Sequence, residues 1–299
     1  MQAMNFKKLE LNDIEKIRPF LNYTQSAVCD LTIGGLFLWR EYYRVEYCIE
    51  DNTLYTRLFV KEDDKFYYHM PLGADVNAAI KKLTAEILAS EESITFITIA
   101  PGLIRFFDEY QGKRKVIPTP EIYDYLYDAI EIKELAGSKF SKQRNHISRF
   151  KKDNPDWEYL NISDVSKEEL IDFFTKVYLP QVVDPRDSQV EENKRVLELL
   201  NNQSLYNFCG GVLKAGGRII GFTFGEKLHN VLFDQVEKAD RNFSGAYQML
   251  FHEFALHEAD DSIDIINRED DAGDSGLRKA KLAYHPIRME EKNKILITA

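Results

Sequence analysis

LYNFCGGVLKAGGRIIGFTFGEKLHNVLFDQVEKADRNFSGAY, residues 205–247, decides the fold of the second half of this chain. Three runs rich in β-branched and aromatic residues, Leu205 to Leu213, Arg218 to Phe224 and Asn230 to Val236, are separated only by Ala215-Gly216-Gly217 and Leu228-His229. Linkers this short join strands only as antiparallel hairpins. The stretch ends at Asp240 to Tyr247, where Ser244, Gly245 and Ala246 open an apolar helix running from Gly245 to Glu258. Small residues at a first turn let an anion approach the N–H groups at the positive end of the helix dipole, and Arg241 adds charge. Arg241, Ser244, Gly245 and Ala246 are therefore a candidate phosphate or cofactor site, with plain helix capping as the alternative.

The same logic extends in both directions. Downstream, the pattern predicts a strand at Ile263 to Asn267, a helix at Ser275 to Tyr284, and short strands at Arg288 to Met289 and Lys294 to Ile297. Upstream, it predicts a strand at Trp157 to Ile162, a helix from Ser166 to Leu179 opened by a Ser-x-x-Glu capping box, and a helix at Gln189 to Leu200 after the Asp184-Pro185 break. The first half reads as mixed α and β. A helix at Asp13 to Leu21 precedes strand-like alternation from Tyr42 to Val60, turned at Asp51-Asn52. Then come a strand at Phe66 to Met70, a helix at Asp75 to Ala89, a strand at Ile94 to Ala100, a short helix at Leu103 to Tyr110 and a tyrosine-rich segment, Glu121 to Ile132.

Between the halves lies LAGSKFSKQRNHISRFKKDNPDW, residues 135–157, with six Lys and Arg residues before its first acid, in a chain of formal net charge -10. At helical spacing Phe140, Ile147 and Phe150 share one arc, and Lys139, Lys142, His146 and Arg149 form a stripe beside it; Arg144 adds a further cation. Gly137-Ser138 reads as entry and N-cap, and Asn154-Pro155 as the stop. The helix is either a solvated linker or a site for an anion: cofactor phosphates, a nucleic acid or a lipid head group. Its position sets a division into an N-terminal domain, 1–134, and a C-terminal domain, 135–299.

Composition bounds the rest. Hydrophobic residues make up 44% and charged residues 29%, no apolar run is long enough to span a bilayer, and Met1 to Leu11 has no secretory h-region. A soluble, cytoplasmic protein is expected, with Cys29, Cys48 and Cys209 as buried thiols. A sequence pI near 5.2 argues against indiscriminate nucleic-acid binding while leaving room for one local basic track. The acids Glu269, Asp270, Asp271 and Asp274 lack metal-ligand spacing and precede a helix start, so no metal is expected. Arg278, Lys279 and Lys281 read as a solvated helix face.

The order of elements, with the Arg-x-x-Ser-x-Ala turn at Arg241 to Ala246, resembles the GNAT acyltransferase fold. Arg241 and Ala246 match that family's pyrophosphate motif, whereas Ser244 stands in place of its first glycine. The resemblance implies that Tyr284 protonates the leaving group and that Asn267, at a strand end, contributes a polar contact. Over nearly the whole chain, Asp124 to Tyr127, Gly137 to Phe150 and Asn267 to Pro286 look like the family named for the C-terminal domain of phosphatidylglycerol lysyltransferases, with Lys142 to Asn145, His146 and Arg268-Glu269 as the specific matches. Members are similar to two GNAT-like domains in tandem, which implies an α+β fold with mostly antiparallel sheets. The lysyltransferases' membrane-spanning portion is not present in this sequence, so lipid modification is not implied.

The implied chemistry is transfer of an acyl or aminoacyl group, from a coenzyme A thioester or an aminoacyl-tRNA, to an amine or hydroxyl of a small-molecule or aminoacyl acceptor, with tRNA as a partner. It needs a base, an acid and donors for an oxyanion. Tyr284 is the acid candidate; Glu226, Asp234, Glu237 and Glu269 are base candidates among which the sequence does not choose. The alternative is a non-catalytic module of the same fold that binds an anionic or nucleotide-like partner.

Overall fold

The computed structural model describes residues 4–299. Met1 to Ala3, part of the stretch read as lacking a secretory signal, lie outside them. The chain forms two compact units, one of residues 1–124 and 290–299, the other of residues 125–289. The division thus falls before the expected 134/135 boundary, and for a physical reason. The tyrosine-rich segment contains a strand, Asp124–Asp128, whose Ile265 to Asn267 partners hold it in the second sheet. The last strand, Asn293–Thr298, pairs on both sides with strands of the first sheet.

The first unit carries a seven-stranded sheet in the order Lys7–Lys8, Glu46–Glu50, Thr53–Val60, Lys65–Tyr68, Ser93–Ile99, Asn293–Thr298, Arg114–Pro118. All its pairings are antiparallel except Lys65–Tyr68 with Ser93–Ile99. The hairpin turn at Asp51-Asn52 has φ of 50° and 53°, the left-handed pair that matches strand twist. The expected helix is Val76–Ile87: Asp75 caps it by accepting from the Ala78 N–H at 3.0 Å, and Val76, Ala79, Ile80, Leu83 and Ile87 are buried. The 101–110 segment is a 3-10 helix.

The second sheet runs Arg288–Glu290, Asp124–Asp128, Ile265–Asn267, Val231–Ala239, Arg218–Leu228, Cys209–Ala215, Glu158–Asn161. Val231–Ala239 pairs parallel with Ile265–Asn267, because the Ala246–Glu258 helix lies between them in sequence and carries the chain back across the sheet. Gly216 and Gly217, at φ 61° and 69°, make the tight hairpin that the sequence predicts. The first expected strand of the three starts late: Gln203–Tyr206 is a helical turn, and the strand is Cys209–Ala215. Ser166 caps its helix, with its hydroxyl accepting from the Glu169 N–H at 3.2 Å and donating to the Glu169 carboxylate at 3.0 Å. The helix it opens, Lys167–Phe173, widens into a π turn at Phe174–Tyr178.

The basic segment forms the helix Ser141–Asp153, entered through Gly137 at φ 77° and the 3-10 turn Ser138–Phe140. Phe140, Ile147 and Phe150 are buried in the core of the second unit, among Met249, Leu250 and Phe254. Ser138 is not the N-cap. The Arg144 guanidinium instead reaches back to the carbonyls of Leu135 and, at 2.7 Å, Gly137, satisfying the chain entering the helix. Asn154 ends the helix as expected, its side chain bonding the Phe150 carbonyl at 2.9 Å. Among the described residues no helix is long and apolar enough to cross a membrane.

Candidate functional site

The second unit gathers its chemistry around Arg268, which follows the strand Ile265–Asn267. Opposite it, strand Val231–Ala239 carries a bulge against Arg218–Leu228: Gly225 pairs with Asp234 and Phe224 with Val236, leaving Gln235 as the extra residue. Residues three apart on a regular strand point to opposite faces, but an inserted residue restores them to one face. Asp234 and Glu237 therefore both meet Arg268, Asp234 at 3.1 Å and Glu237 in a close ion pair. Glycine is needed at 225, where a Cβ would lie 2.3 Å from the Phe233 carbonyl oxygen and 2.6 Å from the Phe254 ring.

Aromatic rings wall this cluster. The Arg268 guanidinium carbon is 3.8 Å from the Phe251 ring centroid and 5.5 Å from that of Tyr284. Phe251 and Tyr284 pack edge to face at 5.1 Å, with Tyr127 at 6.4 Å from Tyr284. The Tyr127 hydroxyl donates to the Lys281 carbonyl at 2.9 Å. Lys281 is no solvated residue: it is buried, and its ammonium donates to the carbonyls of Arg268, Asp270 and Glu269, bracing the loop that presents Arg268. Its neighbour Arg278 pairs with Asp271 at 2.7 Å, and Tyr125 donates to the same carboxylate at 2.7 Å. One acid of the 269–274 run is thus spent on ion pairing.

One cation faces two carboxylates here. Burial raises the Glu237 carboxyl above the ordinary range against the pull of Arg268, and Asp234 pushes in the same direction. Burial also raises the Tyr284 phenol, so it holds its proton throughout the neutral range. Two polar atoms at this cluster have no hydrogen-bond partner among the described residues: Glu237 Oε1 and Tyr284 Oη. A buried donor and acceptor left unbonded are costly to a fold and suit a polar group brought by a ligand.

The other sequence candidates are distributed around this centre. Asn267 is fully buried at the strand end, and its side-chain oxygen accepts from the Glu269 N–H at 2.6 Å, which shapes the turn. Glu269 itself has φ 57° and its carbonyl accepts from the Tyr125 N–H, so its backbone serves as a loop support. Glu226 neighbours Gln235 at 3.4 Å. What the sequence could not reveal was the bulge at Gln235, which alone brings Asp234 and Glu237 to one face. Arg268 was legible only as a family match.

At the 241–246 turn several N–H groups are engaged within the protein. The Arg241 N–H donates to Gln181 at 2.9 Å, the Asn242 N–H to Asp240 at 2.9 Å and the Ala246 N–H to the Phe243 carbonyl at 3.1 Å. Gly245, at φ 87°, packs against the Ser141–Asp153 helix, where a Cβ would lie 2.7 Å from the His146 carbonyl oxygen. Ser244 and Arg241 remain exposed at the rim.

The basic helix is less unpaired than its sequence suggests. Lys139 pairs with Glu131 at 2.7 Å, Arg149 with Asp153 at 3.4 Å and Lys151 with Glu253 at 3.6 Å. Lys142 and His146 are exposed on its outer face.

A family profile described as phosphatidylglycerol lysyltransferase, C-terminal, matches residues 22–293. No curated protein matches the chain in sequence. Among solved structures, a conserved protein of unknown function from Bacteroides thetaiotaomicron is 29% identical with a TM-score of 0.88, over 99% of this chain and 100% of its own. L-PGS from Bacillus licheniformis shares the fold at 15% identity and a TM-score of 0.67, over 95% of this chain and 91% of its own.

Proposed function

The chain belongs to the family of phosphatidylglycerol lysyltransferase C-terminal domains, and on that premise we propose that it is a GNAT-type transferase moving an acyl or aminoacyl group to an amine or hydroxyl. The observation that carries this reading is the pair of unbonded atoms, Glu237 Oε1 and Tyr284 Oη, set around Arg268. Glu237, raised by burial, is suited to take the proton of the attacking amine or hydroxyl near neutral pH. Tyr284, held protonated, is suited to give one to the departing oxygen or sulfur. Arg268 keeps both in place while lending positive charge to the centre.

Of the two donors considered, an aminoacyl-tRNA accords better with the geometry than a coenzyme A thioester, since four N–H groups of the 241–246 turn, those of Arg241, Asn242, Phe243 and Ala246, are engaged within the protein and its glycine packs against a neighbouring helix. The exposed Lys142 and His146 on the Ser141–Asp153 helix favour a second reading, a non-catalytic module that binds an anionic or nucleotide-like partner. Tyr284→Phe separates the two. Loss of an acid used only in the transition state lowers kcat by roughly 10²-fold or more and leaves donor affinity unchanged. No turnover by the wild type with any aminoacyl-tRNA or acyl-coenzyme A, together with retained binding, would leave the binding module standing.

A further inference from the structure

The first unit carries a second cluster of reactive groups. Lys292 is 1% exposed, and its ammonium sits 2.6 Å from Asp30 and 2.7 Å from Asp124. Cys29 joins it: its thiol sulfur is 3.6 Å from Lys292 Nζ and 3.3 Å from Asp124 Oδ1, while its N–H donates to Asp124 Oδ2 at 2.8 Å. Ligand atoms of Cys29, Asp30 and Asp124 fall within 4.8 Å of one another, a spacing suited to a cation. The lysine ammonium supplies that cation. His69, buried beside the group with no partner for Nε2 among the described residues, keeps its ring neutral, because burial holds it down at about 4.

We infer that Cys29 and Lys292 form a peroxide-driven, reducible covalent bridge, a sulfenamide joining the segment after the first helix to the residue that precedes the last strand of the unit. Three features of the geometry support it. The Lys292 ammonium donates to the Cys29 sulfur at 3.6 Å, so the nitrogen and sulfur already face each other. The Asp124 carboxylate touches both, at 3.3 Å from the sulfur and 2.7 Å from the nitrogen, and can move protons for both. The lysine side chain is flexible enough to close the remaining gap to a bond, whereas a buried thiol alone would stop at its own oxidation products.

The chemistry balances with hydrogen peroxide as oxidant. The thiol sulfur attacks one peroxide oxygen, an S–O bond forms and the O–O bond breaks; the thiol proton passes through Asp124 to the departing hydroxide, which leaves as water. Sulfur is oxidised by two electrons and peroxide is reduced by two, giving the sulfenic acid. Lys292 then gives a proton to Asp124, its free amine attacks the sulfenyl sulfur, and the S–N bond forms as the S–O bond breaks. The hydroxyl leaves as a second water, and one proton in total is released to solvent. A thiol reductant returns both side chains to their starting state by exchange at sulfur.

The test is peptide mapping of the full chain after exposure to hydrogen peroxide. The expected product is a linked pair of peptides holding Cys29 and Lys292, lighter than their sum by two hydrogens and lost on treatment with dithiothreitol. The linked form should also melt at a higher temperature than the reduced form, since a bridge between residues far apart in sequence restricts the unfolded chain. Lys292→Arg preserves the cation between Asp30 and Asp124 but offers no comparable nucleophile. Shown to be folded by circular dichroism, it should give no linked pair and should carry Cys29 on to the sulfinic acid. Wild-type Cys29 found unmodified, found as sulfinic acid with Lys292 free, or found in a linked pair that retains an oxygen overturns the inference, as does the same linked pair in Lys292→Arg.

Discussion

A Cβ placed on Gly245 would lie 2.7 Å from the carbonyl oxygen of His146. Both the left-handed backbone and this contact demand glycine, and the contact is to backbone, which cannot swing aside. Gly245→Ala is therefore expected to destabilise the second unit by about 2 to 4 kcal/mol, from backbone strain and from displacement of the Ser141–Asp153 helix. Urea denaturation measures it. A loss under about 0.5 kcal/mol would mean that this helix yields freely and that the turn is open to a ligand after all.

Arg268→Met leaves Asp234 and Glu237 facing each other without a counter-charge. Breaking one side of a buried ion cluster typically costs about 3 to 5 kcal/mol. The expected outcome is a chain that unfolds at much lower denaturant and regains part of its stability when Glu237→Gln is added, because the second change removes the excess negative charge. Equal instability of the single and double variants would show that Arg268 acts through its packing on Phe251 rather than through charge.

How much of this could be read beforehand follows from which signals are local. The buried arc of Phe140, Ile147 and Phe150 and the hairpin at Gly216-Gly217 are set by short-range periodicity and backbone freedom, and both were legible. Leu205 to Phe208 was misread as strand because an apolar run looks alike in a strand and in a buried helical turn. Lys281 was misread as solvated because its burial depends on three carbonyls supplied by the preceding loop. The acid partners of Lys139 and Lys151, Glu131 and Glu253, lie outside the basic stretch, so charge counting within it overstated its excess. At the site, residue types were legible and their convergence was not, since a one-residue bulge decides which carboxylates share a face.

Asp271 gives a pH signature of the loop that presents Arg268. The Arg278 guanidinium, with Tyr125 and the Gly273 N–H, lowers its carboxyl from 3.8 to about 2 against the effect of burial. A depressed carboxyl contributes stability that is fully present above the unfolded value and is lost as pH falls through the folded one. Stability should therefore drop between pH 4 and 2 by about 1 to 2 kcal/mol from this group, allowing for solvent screening at the half-exposed Arg278. Asp271→Asn should be less stable at pH 6 and show a shallower loss over that window. Parallel wild-type and variant curves would remove Asp271 from the account of acid lability.

The exposed side of the Ser141–Asp153 helix distinguishes the two donors by salt. Lys142 and His146 stand on its outer face, with Arg149 in an exposed pair to Asp153 that a phosphate could displace. Binding of a tRNA through several phosphates releases several counterions, so affinity falls steeply as salt rises; a coenzyme A thioester engages few phosphates and gives a shallow dependence. Replacing Lys142 and Arg149 by alanine should flatten the tRNA slope by roughly one to two units, at about 0.7 to 0.9 per phosphate contact. Neither residue lies in the Phe140, Ile147 and Phe150 arc, so the fold should survive the replacement and the slope can be read cleanly. A steep slope that the double replacement leaves untouched would place the phosphate contacts elsewhere and make this helix a structural connector.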